Sequence, residues 1–99
     1  MRVVDRRIED LKRLCTMYHV EKMYLFGSAL SSNFNKESDI DLLVKFKFIE
    51  LSKYLDNYMD FKENLEQLFG RKVDLVEEQT LRNPILINAI NKSKELIYG

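Results

Sequence analysis

Three short runs of strand-forming residues, at 20–26, 39–46 and 72–77, limit this fold most, because segments of helical character separate them. Ahead of the first run, Val4, Ile8, Leu11, Cys15 and Tyr18 recur at helical spacing and predict a helix over 4–18. Residues 28–36 are polar and read as a brief helical turn followed by a loop. The longest helix is predicted over 51–69, where Leu51, Tyr54, Leu55, Tyr58, Phe61, Leu65, Leu68 and Phe69 form one apolar stripe. Gly70 follows, where a left-handed stop is cheap only for glycine. Asn83 and Pro84 read as the N-cap and first position of a last helix. That helix is expected to reach about Ile97 and to bury Leu86, Ile90 and Ile97. The order α-β-α-β-α-β-α predicts an α/β (α+β) domain spanning 1–99, with a small three-stranded mixed sheet. Helices should cover one face of that sheet and leave the other for a site.

Size and charge narrow the function. A chain of 99 residues is enough for one core, and sixteen basic residues cancel sixteen acidic ones. A neutral chain lacks the basic field that non-specific nucleic-acid binding draws on, so nucleic acid is not the expected direct substrate. Cys15 is the single cysteine, which rules out an internal disulfide and a thiolate metal cluster and suits a reducing compartment. No stretch approaches the ~20 apolar residues of a membrane span, and the start of the chain is charged, unlike a secretory leader. The expectation is a cytoplasmic protein with no membrane partner.

Three aspartates stand out by their surroundings. Asp39 and Asp41 are two apart on one predicted strand, so they share a face with Cα atoms about 7 Å apart. Asp74 lies between Val73 and Leu75 in another apolar strand, where an aspartate needs a partner. Any one of them alone reads most simply as a strand-end or salt-bridged residue. Three on the short strands of one small sheet repel each other, and a divalent cation is the simplest offset. Upstream, Gly27 lets a ligand approach the backbone after the first strand, and Ser28 adds a hydroxyl beside the N–H groups of the expected helical turn.

Gly27-Ser28, ten residues, then Asp39-Ile40-Asp41 resembles the minimal nucleotidyltransferase family, within the DNA polymerase beta-like nucleotidyltransferase superfamily. Leu25-Phe26-Gly27-Ser28, Ser38-Asp39-Ile40-Asp41-Leu42-Leu43-Val44, Val73-Asp74-Leu75 and Asn83-Pro84 extend the likeness over nearly the whole chain. The resemblance implies transfer of a nucleoside monophosphate, most often from ATP, to a hydroxyl, with loss of pyrophosphate. It implies two Mg²⁺ ions held by Asp39, Asp41 and Asp74, with Asp74 also placed to take the hydroxyl proton. Gly27 and Ser28 would cradle the β- and γ-phosphates. In one respect the chain departs from the family. Many members continue Gly-Ser-x-Ala-Arg-Gly, whereas this chain reads Gly27-Ser28-Ala29-Leu30-Ser31-Ser32, with serines for the arginine and second glycine.

No separate acceptor-binding domain is expected, so the acceptor should dock on the core or arrive with a partner. Family members commonly neighbour HEPN-domain proteins, and several are antitoxins that transfer AMP to a tyrosine of the HEPN toxin. By resemblance this is the leading expectation. The alternative is a nucleotidyltransferase-like module, weak or inactive in catalysis, that neutralises its partner by contact. A small-molecule modifying enzyme ranks below both. His19 is read as a capping or surface residue and Cys15 as core. Tyr54, Tyr58, Phe61 and Phe69 are also assigned to the core, Glu77 and Glu78 to a solvated strand end, and Lys45 and Lys47 to a solvated edge.

Overall fold

The computed structural model describes residues 3–27 and 39–99. The elements are α1 (Val3–Arg6), α2 (Ile8–Met17), β1 (Val20–Phe26), β2 (Ile40–Phe46), α3 (Leu51–Phe69), β3 (Val73–Glu77), a 3₁₀ turn (Glu78–Thr80), α4 (Pro84–Ser93) and β4 (Glu95–Tyr98). The four strands form one mixed sheet in the order β3-β2-β1-β4. Strand β2 runs parallel to β3 and antiparallel to β1, and β4 runs antiparallel to β1. Joining two parallel neighbours requires a crossover, which α3 provides.

Side chains that alternate along a strand give the sheet two unlike faces. One face carries Val20, Met23 and Leu25 of β1, Ile40, Leu42, Val44 and Phe46 of β2, and Val73 and Leu75 of β3. These join Val4, Leu11 and Cys15 from the N-terminal helices and Phe61, Leu65 and Phe69 of α3 in one core. Tyr18, Phe61, Phe46 and Tyr54 form a run of aromatic contacts across it, with centroids 5.5, 5.9 and 5.8 Å apart. Asn57 and Asn64 of α3 bind the carbonyl and hydroxyl of Tyr18, fastening α2 to α3. Burial alone pushes the Cys15 thiol up to about 12, consistent with a core residue.

Both ends predicted for the longest helix are found. Gly70 takes φ 67° after Phe69, and its N–H donates to the Glu66 carbonyl. Asn83 caps α4 by accepting from the Ile85 and Leu86 N–H groups at 2.9 and 3.4 Å. His19 is exposed with φ 63°, in the left-handed position just after α2, which agrees with a capping role.

Several expectations need correction. The helix predicted over 4–18 is two helices, divided at Arg7. The last helix stops at Ser93, and Ile97 belongs to β4, so the sheet has a fourth strand. Lys94 ends α4 in extended backbone, from which the chain turns to pair with β1. In α3, Leu51 and Leu55 are 90% and 66% exposed, because the helix's buried residues lie in its second half. Leu86 is also exposed, while Ile90 is buried as expected. Glu77 is buried rather than solvated, since its carboxylate folds back to accept from the Gln79 N–H and begin the 3₁₀ turn. Among the described residues, no helix is long and apolar enough to cross a membrane.

Candidate active site

The open face of the sheet is built by the same alternation that builds the core. Register pairs Phe26 with Asp41 across the β1–β2 ladder and Asp41 with Asp74 across the β2–β3 ladder. Directly paired residues point to the same side, so Phe26, Asp41 and Asp74 form one row over three strands. Neighbouring strands lie about 4.8 Å apart, which brings the two carboxylate-bearing positions side by side. Asp39 lies two residues before Asp41 and is exposed, just ahead of Ile40 where β2 begins. Asp41 is half-buried and Asp74 exposed. The three carboxylates thus share the edge of the sheet where β1 ends and β2 and β3 begin.

Gly27 is tied to this row by packing. It follows β1 with φ 67°, and a Cβ placed on it would lie 2.2 Å from Oδ2 of Asp41 and 3.0 Å from its Cγ. Any side chain at 27 would therefore displace the Asp41 carboxylate and also strain the backbone. The glycine of the motif is thus required by this close approach. Ser28, Ser31 and Ser32 lie outside the described residues.

Among the described residues, no three His, Cys, Asp or Glu side chains are grouped closely enough to hold an ion as they stand. Register brings Asp41 and Asp74 together, and Asp39 adjoins them along the strand. The donors are hard carboxylate oxygens on an exposed edge, without thiolate or imidazole. That chemistry fits Mg²⁺ and disfavours zinc.

The rest of this face becomes apolar, with Leu43 buried, and then basic. The row after the acids contains Tyr24, Leu43 and Val76. Lys94, just past α4, places its Nζ 4.3 Å from the Tyr24 ring centroid. Lys45 continues the Asp41–Leu43 side of β2, but its Nζ is 3.2 Å from Glu21, and that hydrogen bond raises its pKa. It is therefore engaged at the far end of the strand. Sequence reasoning missed Phe26 and Tyr24 as neighbours of the acids. The signal was present: aromatic residues at 24 and 26 alternate into the side of the strand that ends at Gly27.

Two tyrosines of α3 lie behind β3. Tyr58 donates to the Leu75 carbonyl, next to Asp74. Burial raises its pKa first, followed by the negative charges of Asp74 and Glu77. Tyr54 is pushed up to about 12, by burial first and then by Glu77 and Tyr58. Both phenols are thus held neutral at ordinary pH.

Comparison with known proteins gives the family of the chain. Residues 9–99 match the family model described as polymerase beta, nucleotidyltransferase. The protein adenylyltransferase MntA of Thermococcus cleftensis is 31% identical over 87 residues, covering 88% of this chain and 82% of that protein. A solved structure provisionally assigned as a minimal nucleotidyltransferase superposes with a TM-score of 0.77 at 29% identity, covering 96% of this chain and 95% of its own. A tri-AMPylated HEPN toxin of Shewanella oneidensis in complex with its MNT antitoxin gives a match with a TM-score of 0.68. At 19% identity, with 100% of this chain and 73% of that one covered, this last likeness speaks for the fold alone. The family match spans residues 9–99, nearly the whole chain, so the chain belongs to the polymerase beta nucleotidyltransferase family.

Proposed function

We propose that this chain transfers AMP from ATP to a tyrosine hydroxyl of a HEPN-domain toxin, and so acts as the antitoxin of the pair. The observation that carries this reading is the close fit of the Asp41 carboxylate against Gly27, with Asp74 paired to Asp41 in the adjacent strand. The adenylyltransferase name of the Thermococcus relative and the AMPylated toxin in the Shewanella complex support the choice of nucleotide and acceptor.

In this mechanism Asp39, Asp41 and Asp74 hold two Mg²⁺ ions, whose chemistry when bound is to neutralise charge on the triphosphate and on the attacking and leaving oxygens. Gly27 leaves room for the β- and γ-phosphates to approach the backbone, and Ser28 donates its hydroxyl to them. Asp74 takes the proton of the incoming tyrosine hydroxyl as that oxygen bonds to the α-phosphorus. The bond from that phosphorus to the β-phosphate bridging oxygen breaks, and pyrophosphate leaves. The sheet contributes by fixing position, which can supply a large share of such an acceleration.

The test is to incubate the chain with Mg²⁺, ATP and its HEPN-domain neighbour and to weigh the toxin. A mass gain of whole AMP units, lost with Asp41→Asn, is the expected outcome. Neutralised toxin with no added AMP would overturn the reading in favour of inhibition by contact.

A further inference from the structure

Asp74 stands on β3, which is the edge strand of the sheet. An edge strand has a ladder on one side only, so an acid that must hold position there needs support from elsewhere. The Ile40 N–H donates to the Lys72 carbonyl at 3.1 Å, so residues 72, 74 and 76 turn their backbone groups toward β2. Val73, Leu75 and Glu77 turn theirs outward, where no strand lies among the described residues.

Those outward groups are met by side chains. The Val73 N–H donates to Oε2 of Glu66 at 3.0 Å, and the Leu75 carbonyl accepts from the hydroxyl of Tyr58. One strand position further on, the Glu77 carbonyl accepts from Oγ1 of Thr80 at 2.8 Å. Glu66 and Tyr58 both belong to α3, whose Phe61, Leu65 and Phe69 are anchored in the core. The two residues that flank Asp74 are therefore each fastened, through backbone, to a fixed helix.

We propose that Glu66 and Tyr58 are positioning residues for Asp74, clipping the outer edge of β3 so that the carboxylate stays in register with Asp41. This rests on the reading of Asp74 as a metal-holding carboxylate. In this role neither residue is assigned a contact with nucleotide or metal. Both act through the backbone on either side of Asp74, which turns an unsupported edge into a rigid arm of the site. The arrangement accounts for a charged glutamate and a tyrosine on the sheet-facing side of α3, where the apolar stripe alone would be served by leucine.

The test is a Mn²⁺ titration into ATP-saturated protein, reading free metal by electron paramagnetic resonance, alongside amide hydrogen exchange. Tyr58→Phe and Glu66→Ala are each expected to weaken the Mn²⁺ site that depends on Asp74 by about tenfold, at the lower end for supporting partners of metal ligands. Glu66→Gln, which keeps an acceptor for the Val73 N–H, should restore affinity to within about twofold of the parent. Tyr54→Phe alters the same helix without touching the β3 backbone and should leave Mn²⁺ binding unchanged. In Glu66→Ala the Val73 amide should exchange about ten times faster, which reports the lost clip independently of the metal. Faster exchange with unaltered Mn²⁺ affinity in both variants would overturn the proposal, leaving the two contacts purely structural. If Tyr58→Phe fails to fold, the Glu66→Ala and Glu66→Gln pair decides alone. Unchanged Mn²⁺ binding in Asp74→Asn is a different failure, because it removes the reading of Asp74 and the proposal with it.

Discussion

The two faces of the sheet come from the same strands and carry opposite burdens. On the helix-covered face, Ile40, Leu42, Val44 and Phe46 of β2 are buried and meet Phe61, Leu65 and Cys15. On the other face, the intervening position Asp41 lies in a row with Phe26 and Asp74. One residue of register separates a methyl group in the core from a carboxylate at the site, so a one-residue slip would exchange them. The comparison teaches that stability and chemistry are stored on different sides of one thin sheet. Mutations can therefore affect one with little effect on the other.

The largest expected effect falls on the closed face. Phe61 is fully buried and contacts the rings of both Tyr18 and Phe46. Phe61→Ala should cost about 3–5 kcal/mol, measured by urea unfolding, because the cavity cannot close around a lost ring. If stability survives that change, the closed face is not where it is stored. On the open face, Asp41→Asn should slow AMP transfer by roughly 10²-fold, equivalent to about 2.7 kcal/mol of transition-state stabilisation. The variant should stay folded, since Asp41 lies outside the hydrophobic core. A variant that instead unfolds would assign Asp41 a structural duty and blur the division between the faces.

How much of this was legible in the sequence follows the same division. The candidate site stood out in the sequence because Gly27, Asp39, Asp41 and Asp74 each break a local rule: a glycine ends a strand, and charges sit in apolar runs. Residues that violate propensity are placed by function, and one sequence is enough to see them. The end of α3 and the start of α4 were legible because Gly70 and Asn83 act within one turn of themselves. The strand β4 was not. Glu95–Tyr98 follows a helix without an intervening glycine or proline, and its strand character comes from pairing with β1, at Tyr24 with Leu96 and Leu25 with Glu95. Glu77 was misjudged for a related reason, because its burial depends on a turn that its own side chain caps. Leu51 and Leu55 keep the helical period of α3 and are still exposed, since periodicity gives the direction of a face but not how far the neighbouring sheet extends.

Smaller effects separate the same two regions at the level of single glycines. Gly27 and Gly70 share φ 67°, so an alanine at either meets the same left-handed penalty of about 1–2 kcal/mol. Only at Gly27 does the new Cβ also meet a carboxylate, at 2.2 Å from Asp41 Oδ2. Gly27→Ala should therefore lose AMP transfer by about tenfold or more, through a displaced Asp41, on top of its loss of stability. In an Asp41→Ala background the carboxylate contacts at 2.2 and 3.0 Å are gone and only the Asp41 Cβ remains, at 3.3 Å, so the stability cost of Gly27→Ala should fall toward the conformational penalty. A cost that stays unchanged between the two backgrounds would mean that Asp41 and Gly27 are not coupled.

Gly70→Ala is the smallest and cleanest of these. Nothing lies within 4 Å of a Cβ built at Gly70, so only the left-handed conformation opposes the change. Stability should fall by about 1–2 kcal/mol while AMP transfer at a temperature well below melting stays at the parental rate. Gly70→Asn should recover part of the loss, because asparagine tolerates this conformation better than alanine does. Gly70 ends α3 just ahead of Val73, whose N–H is clipped by Glu66 of that helix. If Gly70→Ala lowers activity without a matching loss of stability, the helix end itself helps to aim β3, and the two faces are coupled through α3 rather than independent.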